Sequence, residues 1–197
     1  MNLDDLKNRN LILASASPRR IEIFNEHGLN PKVRPSGADE TLPMDLTPEE
    51  TVMFLSLQKS MWLIKNHTIT DDSIIISADT IVVFDGEILG KPKDSDEAYD
   101  MLNSMSGKTH YVYTGICIHT AASGTICSYG KSTVKFRDIP GSELKKYINT
   151  DEPYDKAGGY AIQGTFSKYA TLLDGDMDNV IGFPFKTFES TLSKIRL

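Results

Sequence analysis

The sequence predicts a mixed α/β fold, with a central sheet, helices on both sides and a cleft between two halves. Three observations carry this. Short β-branched apolar runs alternate with segments of helical periodicity. Cap and turn signals separate them. No Pro-, Gly- or Ser-rich linker divides the 197 residues, so residues 1–197 are expected to form one domain of two lobes.

The elements follow in order. Leu11–Ala14 is a short apolar strand. Ser17 can cap a helix that has Pro18 in its first position and Gly28 as its stop, with Ile21, Phe24 and Gly28 on one face. A loop rich in Pro, Gly, Asp and Glu runs from Asn30 to Leu46. Thr47-Pro48-Glu49-Glu50 is a capping box that opens a helix to about Ile64, with Val52, Leu55, Lys59 and Trp62 on one stripe. Ser73–Phe84 is almost continuously apolar and reads as a buried strand, followed by the hairpin signal Asp85-Gly86. Asp94 and Glu97 start a helix packed by Ala98, Met101, Leu102 and Met105 and ended at Gly107. Strands over Thr109–His119 and Thr125–Arg137 flank Ala122-Ser123-Gly124. Pro140–Thr150 is a short helix with Leu144, Tyr147 and Ile148 inward, and Asp151–Gly164 is a glycine-rich loop. A further strand pair and a helix carrying Phe185, Phe188, Leu192 and Ile195 close the chain.

Composition narrows the function. The chain is 40% hydrophobic and 24% charged, the balance of a globular protein, and its net charge is −6. A negative surface repels the DNA backbone and anionic lipid, so no nucleic-acid polymer or membrane partner is expected. A phosphorylated ligand would need a local basic pocket against that average. No apolar run approaches the ~18 residues of a membrane span, and Met1–Asn10 carries two aspartates and no signal-peptide core. Cys117 and Cys127 lie ten apart, beyond a short chelating pair, so free thiols in a reducing, cytoplasmic setting are expected. His27, His67, His110 and His119 lack ligand spacing and read as surface or strand-edge residues.

Six places can carry chemistry. In Ser15-Ala16-Ser17-Pro18-Arg19-Arg20 a strand ends and a helix begins, and a helix N-terminus suits an anion. Two arginines there oppose the helix dipole; either a phosphate sits among them, or they are solvated or pair with acids such as Glu22. Asp79, with Thr80, interrupts an apolar strand, where a carboxylate needs a partner or a metal; a strand-end hydrogen bond is the alternative. Lys59 falls on the buried stripe of its helix, to snorkel or to point at a carboxylate or phosphate. Lys91 is held between Gly90 and Pro92. Gln163, in Asp155-Lys156-Ala157-Gly158-Gly159-Tyr160-Ala161-Ile162-Gln163-Gly164, offers an amide that can read a nucleobase edge or simply build a surface turn. Asp39 and Glu40 are loop acids that matter if they approach Asp79, where they could hold a divalent cation. There is no Walker-type loop, no G-x-G-x-x-G after a strand and no hydrolase elbow.

Together the motifs resemble the Maf family of nucleoside triphosphate pyrophosphatases. The match runs through Leu-Ala-Ser-x-Ser-Pro-Arg-Arg, Ala-Asp-Thr-x-Val at 78–82, Gly-Lys-Pro at 90–92, Ser-Gly-Lys-x-His at 106–110, Glu-Pro-x-Asp-Lys-Ala-Gly-Gly-Tyr-x-Ile-Gln-Gly at 152–164 and Asn-Val-Ile-Gly-x-Pro at 179–184. The resemblance implies a Maf/inosine-triphosphatase type of fold with an elongated mixed sheet. It implies hydrolysis of a nucleoside triphosphate to monophosphate and pyrophosphate with Mg²⁺ or Mn²⁺, in a house-cleaning role. Asp79 matches the family's catalytic base. Arg19, Thr80 and Gln163 match specificity positions; Ser17, Arg20, Glu40, Lys59 and Lys91 match the phosphate and metal site, with Glu40 and Asp79 the expected metal ligands. The Ile-Gln-Gly form is similar to the branch acting on dTTP and UTP. Ser-Leu-Gln-Lys-Ser at 56–60 stands where the family more often has alanines, and Gly159 where the branch often has Ala; both changes are between small residues. Dimers are common in the family, so a homodimer is one expectation. A nucleotide-binding regulator of septum formation, acting through protein contacts, is the alternative function.

Overall fold

The computed structural model describes residues 1–195. The helices are α1 (Leu3–Lys7), α2 (Pro18–Glu26), α3 (Pro48–Asn66), α4 (Ser95–Met105), α5 (Gly141–Tyr147), α6 (Met177–Ile181) and α7 (Phe185–Leu192). The strands are β1 (Asn10–Leu13), β2 (Lys32–Val33), β3 (Ser73–Phe84), β4 (Glu87–Leu89), β5 (Thr109–Thr120), β6 (Gly124–Phe136) and β7 (Ala170–Asp174). They form a mixed sheet in the order β2-β1-β3-β5-β6-β7, with β4 added on β3. β1 runs parallel to β2 and β3, whereas β3–β4 and β6–β7 are antiparallel. No helix among the described residues is long and apolar enough to cross a membrane.

Local chemistry explains the main elements. In the capping box of α3, Thr47 Oγ1 accepts from the Glu50 N–H and the Glu50 carboxylate accepts from the Thr47 N–H. Asp94 Oδ1 caps α4 through the Glu97 N–H at 2.9 Å. Asp85 and Gly86, both at positive φ (49° and 85°), make the tight turn between β3 and β4.

Several sequence expectations need correction. α1 was not foreseen; Asn2 and Asp5 cap it reciprocally, a signal too short to stand out. The loop 30–46 contains β2, two exposed residues whose place in the sheet comes only from pairing with β1. α2 buries Ile23 and Phe24, so Ile21 is off its innermost face. The expected late strand pair is a single strand, β7, paired with β6, and then the short helix α6. His110 is not at a strand edge: it is fully buried inside β5. Cys117 and Cys127 are not free thiols but a disulfide, Cα atoms 4.1 Å apart. The turn at 121–123 is centred midway between them and sets them opposite on neighbouring strands.

The chain divides into two compact units, with the boundary inside β3 at Asp79/Thr80. The first contains Met1–Asp79, Thr114–Gly130 and the segment from Gly182 on. Its core joins Ile12, Ala14, Leu63 and Ile75, and an aromatic cluster of Phe24, Phe183, Phe185 and Phe188. In the same unit β5 passes α3 so closely that a Cβ on Gly115 would lie 2.2 Å from the Val52 carbonyl oxygen. Ser56, fully buried, faces β5 with its Oγ 3.3 Å from Cys117 Sγ, and Ser77 Oγ donates to the Ser56 carbonyl at 2.6 Å. The second unit holds Thr80–Tyr113 and Lys131–Ile181, around a core that includes Val82, Phe84, Leu102, Met105, Phe136 and Phe166.

Candidate active site

In the first unit, three elements bring charge to one place. Asp79 ends the inner run of β3 and is 9% exposed. α3 is long enough to carry Lys59 alongside it, three turns after the capped start. Lys59 Nζ donates to Asp79 Oδ1, a short contact, and pairs with Glu40 Oε1 at 2.9 Å. Neither way of placing Lys59 alone was decided by periodicity; the geometry makes it the bridge between two carboxylates. Asp79 Oδ2 makes no protein hydrogen bond among the described residues. Glu40 comes from the loop after β2, where Gly37 sits against the Trp62 ring: a Cβ there would be 3.0 Å from Cζ2. Asp39 turns away to accept from Thr41, at 3.0 Å from its N–H and 2.7 Å from its hydroxyl. Of the two loop acids, Glu40 therefore joins Asp79.

Arg20 belongs to the same cluster. Its Nη1 donates to Ser15 Oγ at 3.0 Å and its Nε to the Gly182 carbonyl at 2.7 Å. Burial pulls its pKa below the usual arginine range; Asp79 and Glu40 oppose that shift and Arg19 adds to it. A guanidinium that is desolvated and held in a fixed orientation is a strong, directional donor to an anion. Ser17 stands at the N-cap of α2, but its hydroxyl makes no capping hydrogen bond, contrary to expectation. Its N–H donates instead to Ser15 Oγ at 3.2 Å. The first-turn amides of α2 are thus not consumed by a side-chain cap, which suits an incoming anion.

Ser15 and Gly182 were not singled out. Ser15 stands within the first motif and Gly182 within Asn-Val-Ile-Gly-x-Pro, whose role the sequence left open. Both accept hydrogen bonds from Arg20.

Thr80, Lys91 and Gln163 belong to the second unit. Thr80 follows Asp79 on β3 and is half-buried. Lys91 is exposed, next to Gly90, whose carbonyl accepts from the Gly158 N–H at 3.0 Å; this ties the Gly-Lys-Pro loop to the glycine loop. Gln163 is exposed in the turn closed by Gly164 N–H to Ala161 O, and its side chain makes no hydrogen bond among the described residues.

Among the described residues no group of three or more His, Cys, Asp or Glu could hold a metal by itself. Asp79 and Glu40 nonetheless converge on one cationic point, Lys59 Nζ. Two carboxylates completed by phosphate oxygens are a donor set that suits Mg²⁺ or Mn²⁺.

A family profile described as Maf-like protein matches residues 10–195. A protein of Caldicellulosiruptor bescii named dTTP/UTP pyrophosphatase is 42% identical over 95% of each chain. One of the same name from Desulfitobacterium hafniense is 41% identical over 94% of this chain and 85% of its own. The solved Ham1 protein of Staphylococcus aureus, at 13% identity, superposes with a TM-score of 0.51 over 93% of this chain and 97% of its own, a likeness of fold.

Proposed function

This chain belongs to the Maf-like family, and we propose that it hydrolyses nucleoside triphosphates, dTTP and UTP foremost, to the monophosphate and pyrophosphate. The substrate names are those carried by its relatives. The observation that carries the chemistry is the Lys59 bridge between Asp79 and Glu40 beside the anchored Arg20.

The roles follow from charge and geometry. Arg19, Arg20 and Lys59 neutralise the triphosphate as charge builds on the leaving pyrophosphate. The Ser17 hydroxyl and the first amides of α2 receive a phosphate oxygen. Lys59 holds Asp79 through Oδ1, which leaves Oδ2 to take a proton from the attacking water. Water adds at phosphorus and the α–β bridging bond breaks, so one water is consumed per nucleotide. Glu40 and Asp79 would hold the divalent cation, which supplies Lewis-acid neutralisation of the phosphate oxygens when bound. Thr80 and Gln163 read the base, and the amide of Gln163 offers one donor and one acceptor to a pyrimidine edge.

The test is a panel of dTTP, UTP, CTP and 7-methyl-GTP with Mg²⁺, read for substrate and product. dTTP and UTP should be consumed with pyrophosphate as the product. Orthophosphate as the product overturns the cleavage assignment, and a preference for 7-methyl-GTP overturns the pyrimidine assignment.

A further inference from the structure

Glu152 opens the glycine-rich motif, and the chemistry above gives it no task. Its carboxylate is nonetheless heavily used. Oε2 accepts from the Thr165 hydroxyl at 2.9 Å and the Thr165 N–H at 3.4 Å, and Oε1 accepts from the Tyr147 hydroxyl at 3.3 Å. Its backbone is fixed as well: the N–H donates to Thr150 Oγ1 at 3.3 Å, and the carbonyl accepts from Lys156 Nζ at 2.6 Å. Tyr147, at the end of α5, is buried and rests on Phe166 with ring centroids 4.5 Å apart. One anchor of the carboxylate is therefore a buried ring.

Gly164 shows what this carboxylate is pressed against. Its φ is not in the left-handed region, so backbone freedom does not require glycine there. Space does: a Cβ on Gly164 would lie 1.7 Å from Glu152 Oε1 and 2.6 Å from Cδ. Thr165 is bonded to the same group, so the carboxylate grips residues 164 and 165 together. The residue immediately before them is Gln163, exposed and without a hydrogen-bond partner among the described residues. A side chain that reads a ligand needs a fixed root, and here one buried-anchored carboxylate supplies it.

We infer that Glu152 is a positioning residue for substrate selection: its carboxylate fixes the turn that carries Gln163 and so sets the direction from which that amide meets the nucleobase. This rests on the nucleotide reading of the site. Glu152 touches neither phosphate nor base; it acts through Gln163.

The experiment compares dTTP and CTP kinetics, and dTTP binding by calorimetry, for wild type, Glu152→Ala, Glu152→Gln, Gly164→Ala, Gln163→Ala and the doubles. Loss of one base-reading hydrogen bond predicts a rise of about fivefold to tenfold in KM for dTTP in Glu152→Ala, with kcat within about twofold and discrimination against CTP reduced. Gly164→Ala should behave alike, because its new methyl displaces the carboxylate. Glu152→Ala/Gly164→Ala should be no worse than either single, since the space is then vacant. Glu152→Ala/Gln163→Ala should be no worse than Gln163→Ala alone, as expected of residues acting as a unit. Glu152→Gln keeps an acceptor for Thr165 and should retain most of the discrimination. The inference is overturned if Glu152→Ala lowers melting temperature and kcat while selectivity stays at the wild-type value, or if its loss adds to that of Gln163→Ala. A wild type that neither binds nor cleaves dTTP and UTP overturns the function itself, and this inference with it. A wild type active on dTTP beside an equally selective Glu152→Ala overturns this inference alone.

Discussion

Lys59 places its ammonium between Glu40 and Asp79, and the consequences separate the two carboxylates. Asp79 is buried on a strand, whereas the Glu40 side chain is 60% exposed on a loop. Asp79→Asn keeps the shape and an acceptor for Lys59 but cannot take a proton. Its kcat should fall by about 10²–10⁴, the usual worth of a general base, with an unchanged circular dichroism spectrum; retained turnover would move the role elsewhere. His110 gives a different residue-scale prediction, on stability. It is fully buried in the second unit, its Nε2 2.7 Å from the Tyr160 hydroxyl and its Nδ1 without a partner. Burial lowers its pKa from 6.5 to about 4. The folded pKa lies below the unfolded one, so the unfolded chain binds the proton first. The contribution is present above pH 6.5 and is lost as pH falls from 6.5 toward 4. Between pH 7 and pH 5 this removes about 2 kcal/mol by linkage. Urea unfolding of wild type and His110→Gln at both pH values measures it. The variant should lose about 2 kcal/mol less over that interval, and equal losses would place the proton uptake elsewhere.

At the scale of elements, the contact of α3 with β5 fixes where Lys59 stands. Gly115→Ala would drive a methyl into the Val52 and Met53 backbone, at 2.2 Å from a carbonyl oxygen and 2.7 Å from an amide nitrogen. Neither can rotate aside, so the cost should reach about 3 kcal/mol, the upper part of the range for overpacking. Thermal melting should show that loss, and kcat/KM should fall with it as the helix bearing Lys59 shifts. A variant as stable and as active as wild type would show that strand and helix can part without consequence. Sequence made some of this visible and not the rest. The boundaries of α3 and β3 were legible because a capping box and two β-branched runs closed by a hairpin turn are local signals. Lys59 on the inner stripe was legible from spacing, but its partners were not: Glu40 and Asp79 lie nineteen and twenty residues away on other elements. β2 was hidden because two exposed residues have no pattern of their own. Gly115 reads as an ordinary strand residue, and its reason is a helix backbone sixty-three residues earlier. The Cys117–Cys127 pair was readable in principle, since the turn lies midway between them; composition pointed the other way.

For the whole molecule, a net charge of −6 sets the terms on which a polyanion can bind. The first unit answers it locally: Lys59 pairs with Glu40 and Asp79, Arg20 feels both acids, and Arg19 stands close enough to Arg20 to repel it, three cations to two carboxylates. That excess is too small to hold a triphosphate, with about four negative charges, by side chains alone in a repulsive field. The two carboxylates that weaken the cluster are also its means of recruiting a cation, so nucleotide and divalent ion should bind as a unit. EDTA should therefore lower turnover by at least about 100-fold, with Mg²⁺ or Mn²⁺ restoring it. Binding gives a second readout, independent of catalysis. The dissociation constant of dTTP should be about tenfold weaker without Mg²⁺ in wild type, a coupling of ordinary size for two ligands sharing a site. In Glu40→Gln that dependence should shrink, while metal-free binding improves because one repelling charge is gone. Asp79→Asn should act in the same direction, and more strongly, since Asp79 is the more buried of the two. Equal dTTP affinity with and without Mg²⁺ in wild type, or undiminished turnover in EDTA, would show that the cationic residues suffice and that Glu40 serves only to hold Lys59 in place.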